Sequence, residues 1–175
     1  EGPEDRQREG RDQEAEVPDA QHAPPLLDEH GVESVAIGYL HAFMNPEHEQ
    51  RTADWLARKR PGLSLTLASE VCPEIREFER LSTACANAYV RPLMARYLER
   101  LSGELAALGF ACPFLLMTSG GGLTTLKTAM QFPIRLVESG PAGGAILARH
   151  VAQGAGLDRV LSFDMGGTTA KLCLI

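Results

Sequence analysis

Three features of the sequence predict an α/β fold with helices on both faces of a sheet. Short apolar runs alternate with stretches of helical periodicity from about Leu26 to the end. Several of those runs lack polar alternation, as strands do when both faces are covered. Glycine clusters fall where such runs end, at 120–122, 140–144 and 166–167, which is where chains of this class turn and bind ligands.

The elements follow in order. Residues 1–25 contain one large aliphatic side chain, Val17, too little apolar surface to offset the entropy of ordering. They read as a disordered acidic tail, and equally as a linker or a non-native start. "LLDEHG" (26–31) has the texture of a last helical turn stopped by Gly31, and "VESVAIGYL" (32–40) that of a buried strand. Asn45 as cap, Pro46 at the first helical position, and Glu47 and Glu49 near the positive dipole end start a helix that runs to Arg60. "LSLTLAS" (63–69) alternates with period two and predicts a strand. Leu81, Cys85, Ala88, Tyr89, Leu93, Tyr97, Leu101 and Leu105 then recur at helical spacing over 77–108, with Pro92 expected to bend or split the helix. A strand over 113–119 meets "GGG", a short helix covers 124–130, "IRLVES" (134–139) reads as a strand, and a glycine-rich start leads into another helix. "VLSFDMGGTTAKLCLI" (160–175) predicts a β-hairpin with a glycine pair in its turn.

Charge narrows the function. Of 23 acids and 17 bases, residues 1–30 hold 10 and 3, so the rest of the chain is nearly neutral. It has no basic stripe to neutralise phosphates along a duplex, which argues against nucleic acid as a partner. No run approaches the ~20 apolar residues of a membrane span. Cys72, Cys85, Cys112 and Cys173 are too unevenly spaced for a metal clip or a disulfide scaffold. Free thiols in a cytoplasmic protein are expected.

The glycine clusters carry the chemistry. In the hairpin, Gly166 and Gly167 leave main-chain amides without side-chain obstruction, a pattern that fits a plain turn as well as an anion cradle. Asp164, at the end of an apolar strand, favours the cradle, because a hydrated Mg²⁺ is a natural partner for it. Gly140, Gly143 and Gly144 precede and open a helix, where free amides meet the positive dipole end; close packing of helix on strand is the competing reading. Ser119, Gly120 and Gly121 lie at the C-terminal end of a strand, where open parallel sheets bind ligands. The spacing fits neither GxGxxG nor GxxxxGK[ST], and no GxSxG elbow or Cys-His nucleophile pattern occurs. His41 and His48 are separated by a loop and a helix start, which argues against a metal pair. His150 reads as a charge near the negative end of a helix dipole. Glu74, Glu77 and Glu79 beside Arg76 and Arg80 read as a solvated helix start with ion pairs, and Asn87 and Tyr89 as packing groups.

"NPEHE" (45–49), "EVCPEIREFERLSTACANAYVRPLMARYL" (70–98), "MTSGGG" (117–122), "ESGPAGG" (138–144) and "FDMGGTTAK" (163–171) occur in an order that resembles the A-type subunit of the hydantoinase/oxoprolinase family. The resemblance covers about residues 26–175. It implies part of an actin/Hsp70-like (ribonuclease H-like) ATPase fold with two lobes around a nucleotide cleft. Residues 26–110 would be the C-terminal part of the family's N-terminal domain, and 111–175 the start of its ATPase domain. It also implies ATP and Mg²⁺ as cofactors, with "DMGGTTAK" as the second phosphate loop. In that loop Asp164 faces Mg²⁺ or its water, Gly166 and Gly167 give amides, Thr168 and Thr169 give hydroxyls, and Lys171 stands where many relatives have an acid.

The implied reaction is ATP-dependent opening of a cyclic amide such as a hydantoin or 5-oxoproline. Phosphoryl transfer to the amide oxygen would turn that oxygen into a leaving group. A B-type subunit is the implied partner, an oligomer is expected, and the 175 residues alone are expected to be inactive because only one phosphate loop is present. ATP-dependent ketone carboxylation is the alternative within the family, and a non-enzymatic nucleotide-binding module the alternative outside it.

Overall fold

A computed structural model describes residues 23–167 and 169–175; the expected tail up to residue 22, and Thr168, lie outside them. The chain begins with α1 (Ala23–Glu29), closed by Gly31 at φ +58°. A βαβ unit follows: β1 (Ser34–Ile37), α2 (Glu47–Lys59) and β2 (Ser64–Leu67). The two strands pair in parallel, Ser34 opposite Ser64 through Ile37 opposite Leu67. The helix starts one residue later than predicted, with Pro46 in the cap position, while Asn45 Oδ1, just before it, accepts the Glu47 amide at 3.1 Å. The predicted strand 63–69 ends early because Ala68 and Ser69 enter a one-turn helix, α3 (Ala68–Val71).

α4 (Glu77–Ala107) continues through Pro92 as one helix. A mid-helix proline costs about 3 kcal/mol, and packing against β1, β2 and α3 outweighs it. Ile37, Leu56 and Leu67 form one core cluster, and Ala68, Val71 and Ala84 a second that Leu81, Phe132 and Ile134 extend. Tyr89 is 87% exposed, so it is not the packing group its helical spacing suggests.

Three buried polar side chains hold this unit. Glu49 accepts the Tyr39 amide at 3.2 Å through Oε1, and the Ser69 amide (2.8 Å) and hydroxyl (2.6 Å) through Oε2. It thereby ties together the segments that leave β1 and β2. Arg80 donates to the Glu74 and Tyr39 carbonyls and to Glu77 Oε1, and lies over the Phe43 ring. Asn87 donates to Thr66 Oγ1 (3.2 Å) and the Gln131 carbonyl (3.1 Å), and accepts the Ile134 amide (3.2 Å).

Beyond α4 lie β3 (Leu115–Met117), β4 (Leu123–Thr125), α5 (Leu126–Gln131), a 3-10 turn (Pro133–Leu136), α6 (Ser139–Gly154), β5 (Leu161–Met165) and β6 (Ala170–Leu174). β3 and β4 form one antiparallel hairpin, β5 and β6 another. Among the described residues the strands make three two-stranded sheets. Apolar residues of β5 and β6 are exposed, Phe163 at 60% among them, so this hairpin is not covered on both faces here.

The strand predicted over 134–139 is a correction. Pro133 fixes φ at the start of the 3-10 turn and offers no ladder donor. Ile134 gives its amide to Asn87, and the Arg135 carbonyl accepts the Ser119 amide at 2.8 Å. The Arg135 guanidinium stacks 4.6 Å over Phe132 and reaches the Glu70 and Val71 carbonyls. These bonds take the groups a ladder would have used.

The cluster at the start of α4 forms the expected ion pairs, Arg76 with Glu79 and Arg80 with Glu77, but it is not wholly solvated as predicted, because Arg80 is buried where carbonyls of Glu74 and Tyr39 accept its donors. Glu77 Oε1 also accepts the amide of His41, which sits at φ +57°. The His41 amide, then the Arg80 guanidinium, holds the Glu77 carboxyl below its ordinary value of 4.5.

Two tests follow from these bonds. Asn87→Ala leaves the buried Thr66 hydroxyl and the part-buried Gln131 carbonyl and Ile134 amide without this partner and is expected to destabilise the fold by about 3 kcal/mol in urea unfolding. Because the folded Glu77 carboxyl titrates below its unfolded value, its contribution is complete above that value and is lost as pH falls through the folded one. Urea midpoints followed from neutral to about pH 3 should show a shallower acid limb in Glu77→Gln than in the parent.

Candidate functional site

α6 packs against both hairpins, and small residues let it approach. Gly121, at φ +81° in the β3–β4 turn, faces α6: a Cβ there would lie 3.1 Å from Ile146 Cδ1. A Cβ on Gly143 would lie 3.9 Å from Met117 Cγ in β3, and one on Gly144 would lie 3.9 Å from Asp164 Oδ2 in β5. One turn of α6 therefore touches both hairpins, and brings Gly121, Gly143, Gly144 and Asp164 to one place.

The glycines of α6 divide by position. The helix starts at Ser139, so Gly140 is its second residue, within the turn whose amides have no helical partner. Gly143 and Gly144 are the fifth and sixth, and their amides belong to the helix's own i→i−4 bonds. They do not present free amides ahead of a helix; they provide close approach. Glu138, just before the helix, adopts the left-handed conformation (φ +64°, ψ +19°) and makes no side-chain cap bond.

"MTSGGG" is a hairpin turn, not the end of a parallel strand. The Thr118 amide and hydroxyl both donate to the Gly122 carbonyl, and the Gly121 amide returns to Thr118. Ser119 gives its amide and hydroxyl to the Arg135 carbonyl. Gly120 stays exposed in the same turn. Ser119 thus anchors the turn to the 3-10 segment, while Gly121 seats α6.

In the second hairpin Asp164 faces Lys171 across the ladder. The Gly166 amide donates to the Thr169 carbonyl at 3.1 Å and closes the turn, so it is spent. The Gly167 amide has no partner among the described residues, and open space surrounds both glycines. The Asp164 carboxylate is exposed and has no hydrogen-bond or ion-pair partner among the described residues. Exposure removes the burial cost that the sequence argument invoked; the position of Asp164 beside α6 remains. Lys171 pairs with Glu138, on the segment that leads into α6.

The arrangement fits the expected cofactors. Mg²⁺ commonly takes one or two carboxylates and fills its octahedron with water and phosphate oxygens. Among the described residues no group of three His, Cys, Asp or Glu side chains could hold a metal by itself, and Asp164 is a single uncommitted carboxylate. The Gly167 amide and the amides of the first turn of α6 are donors of the kind that bind polyanions. Sequence reasoning missed Glu138, because nothing in a glutamate signals a left-handed backbone. No helix among the described residues is long and apolar enough to cross a membrane.

The hydantoinase/oxoprolinase family profile matches residues 80–175. The chain is 36% identical over 146 residues to the caprolactamase subunit alpha of Pseudomonas jessenii, covering 83% of this chain and 21% of that one. The crystal structure of ATP-dependent caprolactamase from that organism superposes with a TM-score of 0.80 at 35% identity, over 89% of this chain and 22% of that one. Nucleotide-free acetone carboxylase superposes with a TM-score of 0.75 at 26% identity, again over 89% and 22%. The 5-oxoprolinase of Saccharomyces cerevisiae is 32% identical over 81% of this chain and 11% of its own length. The chain therefore spans about a fifth or less of these relatives.

Gly121→Ala is expected to place a methyl group against Ile146 in a left-handed conformation. It should cost about 1–2 kcal/mol in urea unfolding, and increase amide exchange in both the β3–β4 turn and α6.

Proposed function

The chain belongs to the hydantoinase/oxoprolinase family, and on that premise we propose that it is part of an A-type subunit that opens a cyclic amide such as a hydantoin or 5-oxoproline at the expense of ATP. The observation that carries this reading is the uncommitted Asp164 carboxylate, on the strand that leads into a glycine turn and against Gly144 of α6. ATP with Mg²⁺, when bound, supplies the phosphoryl group that makes the amide oxygen a leaving group. The chain's own residues bind and orient. Asp164 orients the metal or one of its waters, the Gly167 amide donates to a phosphate oxygen, and the first turn of α6 lends its dipole. Thr168 and Thr169 add hydroxyls in this reading, and Gly140 adds its amide at the start of the helix. Ser119, Gly120 and Gly121 shape the neighbouring wall without contacting phosphate. A B-type subunit or domain would complete the hydrolysis, and the boundary between the two structural parts falls near residue 110.

ATP-dependent ketone carboxylation is the second reading, favoured by the TM-score of 0.75 to acetone carboxylase. A requirement for bicarbonate separates the two reactions.

The test is ATP turnover by the whole polypeptide that carries these residues, together with its B-type partner, with and without cyclic amides. Ring-opened product formed in step with ATP consumption supports the reading; turnover indifferent to every cyclic amide, with no such product, overturns it. Asp164→Asn should lower turnover by about 100-fold. Its unfolding midpoint should not move, because the carboxylate makes no hydrogen bond or ion pair with a described residue.

A further inference from the structure

We propose that Lys171 is a positioning residue: its ion pair with Glu138 clasps β6 to the start of α6, and sets the first turn of that helix against the phosphate hairpin. The proposal rests on the nucleotide reading of this site.

Asp164 and Lys171 are directly opposed in the β5–β6 ladder, so their side chains leave the hairpin on one face. Asp164 lies against Gly144 of α6, while Lys171 pairs with Glu138 and not with its cross-strand acid. The hairpin therefore meets Gly144 inside the helix and also reaches Glu138 just before it. The start of α6 packs on β3 through Gly143 beside Met117, but little in its own sequence sets its first turn. Three of its first six residues are glycines, poor helix formers, and no side chain caps it. Glu138 itself is held in a left-handed conformation that non-glycine residues rarely adopt. An outside anchor on that residue fixes both the turn and the direction of the helix that follows. The clasp is modest, since the Lys171 and Glu138 side chains are 35% and 66% exposed, and exposed pairs contribute little. It suits a part that sets geometry, not one that supports the fold. It also gives the Lys171 charge a role: it is directed at the helix start.

The experiment compares Lys171→Glu, Glu138→Lys, the charge-swapped double variant and Lys171→Arg in the whole polypeptide. Two quantities are measured: amide exchange at residues 142–147 without nucleotide, and KM for ATP against kcat. Each reversal alone is expected to raise exchange in this stretch and the ATP KM about fivefold, equal to about 1 kcal/mol at 1.4 kcal/mol per tenfold. kcat should change less than about twofold. The double swap should restore both quantities, and Lys171→Arg should keep them. Exchange unchanged by either reversal, or a double swap as impaired as Lys171→Glu, overturns the clasp and leaves Lys171 acting alone. Exchange that responds while KM stays constant overturns the positioning role. If exchange responds and is rescued but no form binds ATP, the clasp stands and the nucleotide reading falls.

Discussion

The placement of the site depends on the buried amide of Asn87. It holds β2 through Thr66, the end of α5 through Gln131 and the 3-10 turn through Ile134. A buried amide is favourable only when its donors and acceptor are all engaged, so the three segments can dock on α4 in only one way. From there the order passes outward by contact. Arg135, next to Ile134, holds Ser119 through its carbonyl. Ser119 fixes the β3–β4 turn, Gly121 seats Ile146 of α6, and Gly144 seats Asp164. Each step is a hydrogen bond or a van der Waals approach, with no long lever arm between them.

This sequence of contacts explains the uneven use of glycine. Gly121 has a positive φ and a close neighbour, so two constraints select it. Gly143 and Gly144 have ordinary helical backbone, and a Cβ on either would meet its neighbour at ordinary contact distance. Their smallness leaves room beside Met117 and Asp164. At Gly144 that room borders the carboxylate, where a methyl group would displace water or a ligand. The two readings of "SGPAGG" are thus separated residue by residue: Gly140 lies where amides are free, and the later pair lies where helix meets strand.

Legibility in the sequence followed locality. The start of α2 beside Asn45, the stop at Gly31, the long α4 and the final hairpin depend on neighbours within a few residues, and their patterns survive folding. The resemblance to the hydantoinase/oxoprolinase family was also legible, because it rests on ordered short motifs. What was not legible depends on distant partners. "IRLVES" has the composition of a strand, yet Asn87 and Ser119 claim its polar groups from 47 and 16 residues away. Glu49 looked like a residue placed for the helix dipole, and proved to be a buried acceptor for Tyr39 and Ser69. β4 was absorbed into a predicted helix because Leu123–Thr125 is too short to show a period.

The final hairpin shows why a turn and a cradle cannot be separated by composition. Two glycines between strands satisfy either, and one amide is consumed in both cases: Gly166 closes the turn on Thr169. The distinction lies in what remains after the turn has closed. A plain turn needs neither an acid near its mouth nor a helix packed beside that acid. Here an unpartnered carboxylate lies against Gly144, and the Gly167 amide also remains without a described partner. Solvent can satisfy each of these groups separately, so folding does not require them to be together. The carboxylate beside α6, two residues from the glycine turn, is an arrangement that a bound polyanion with its cation would use.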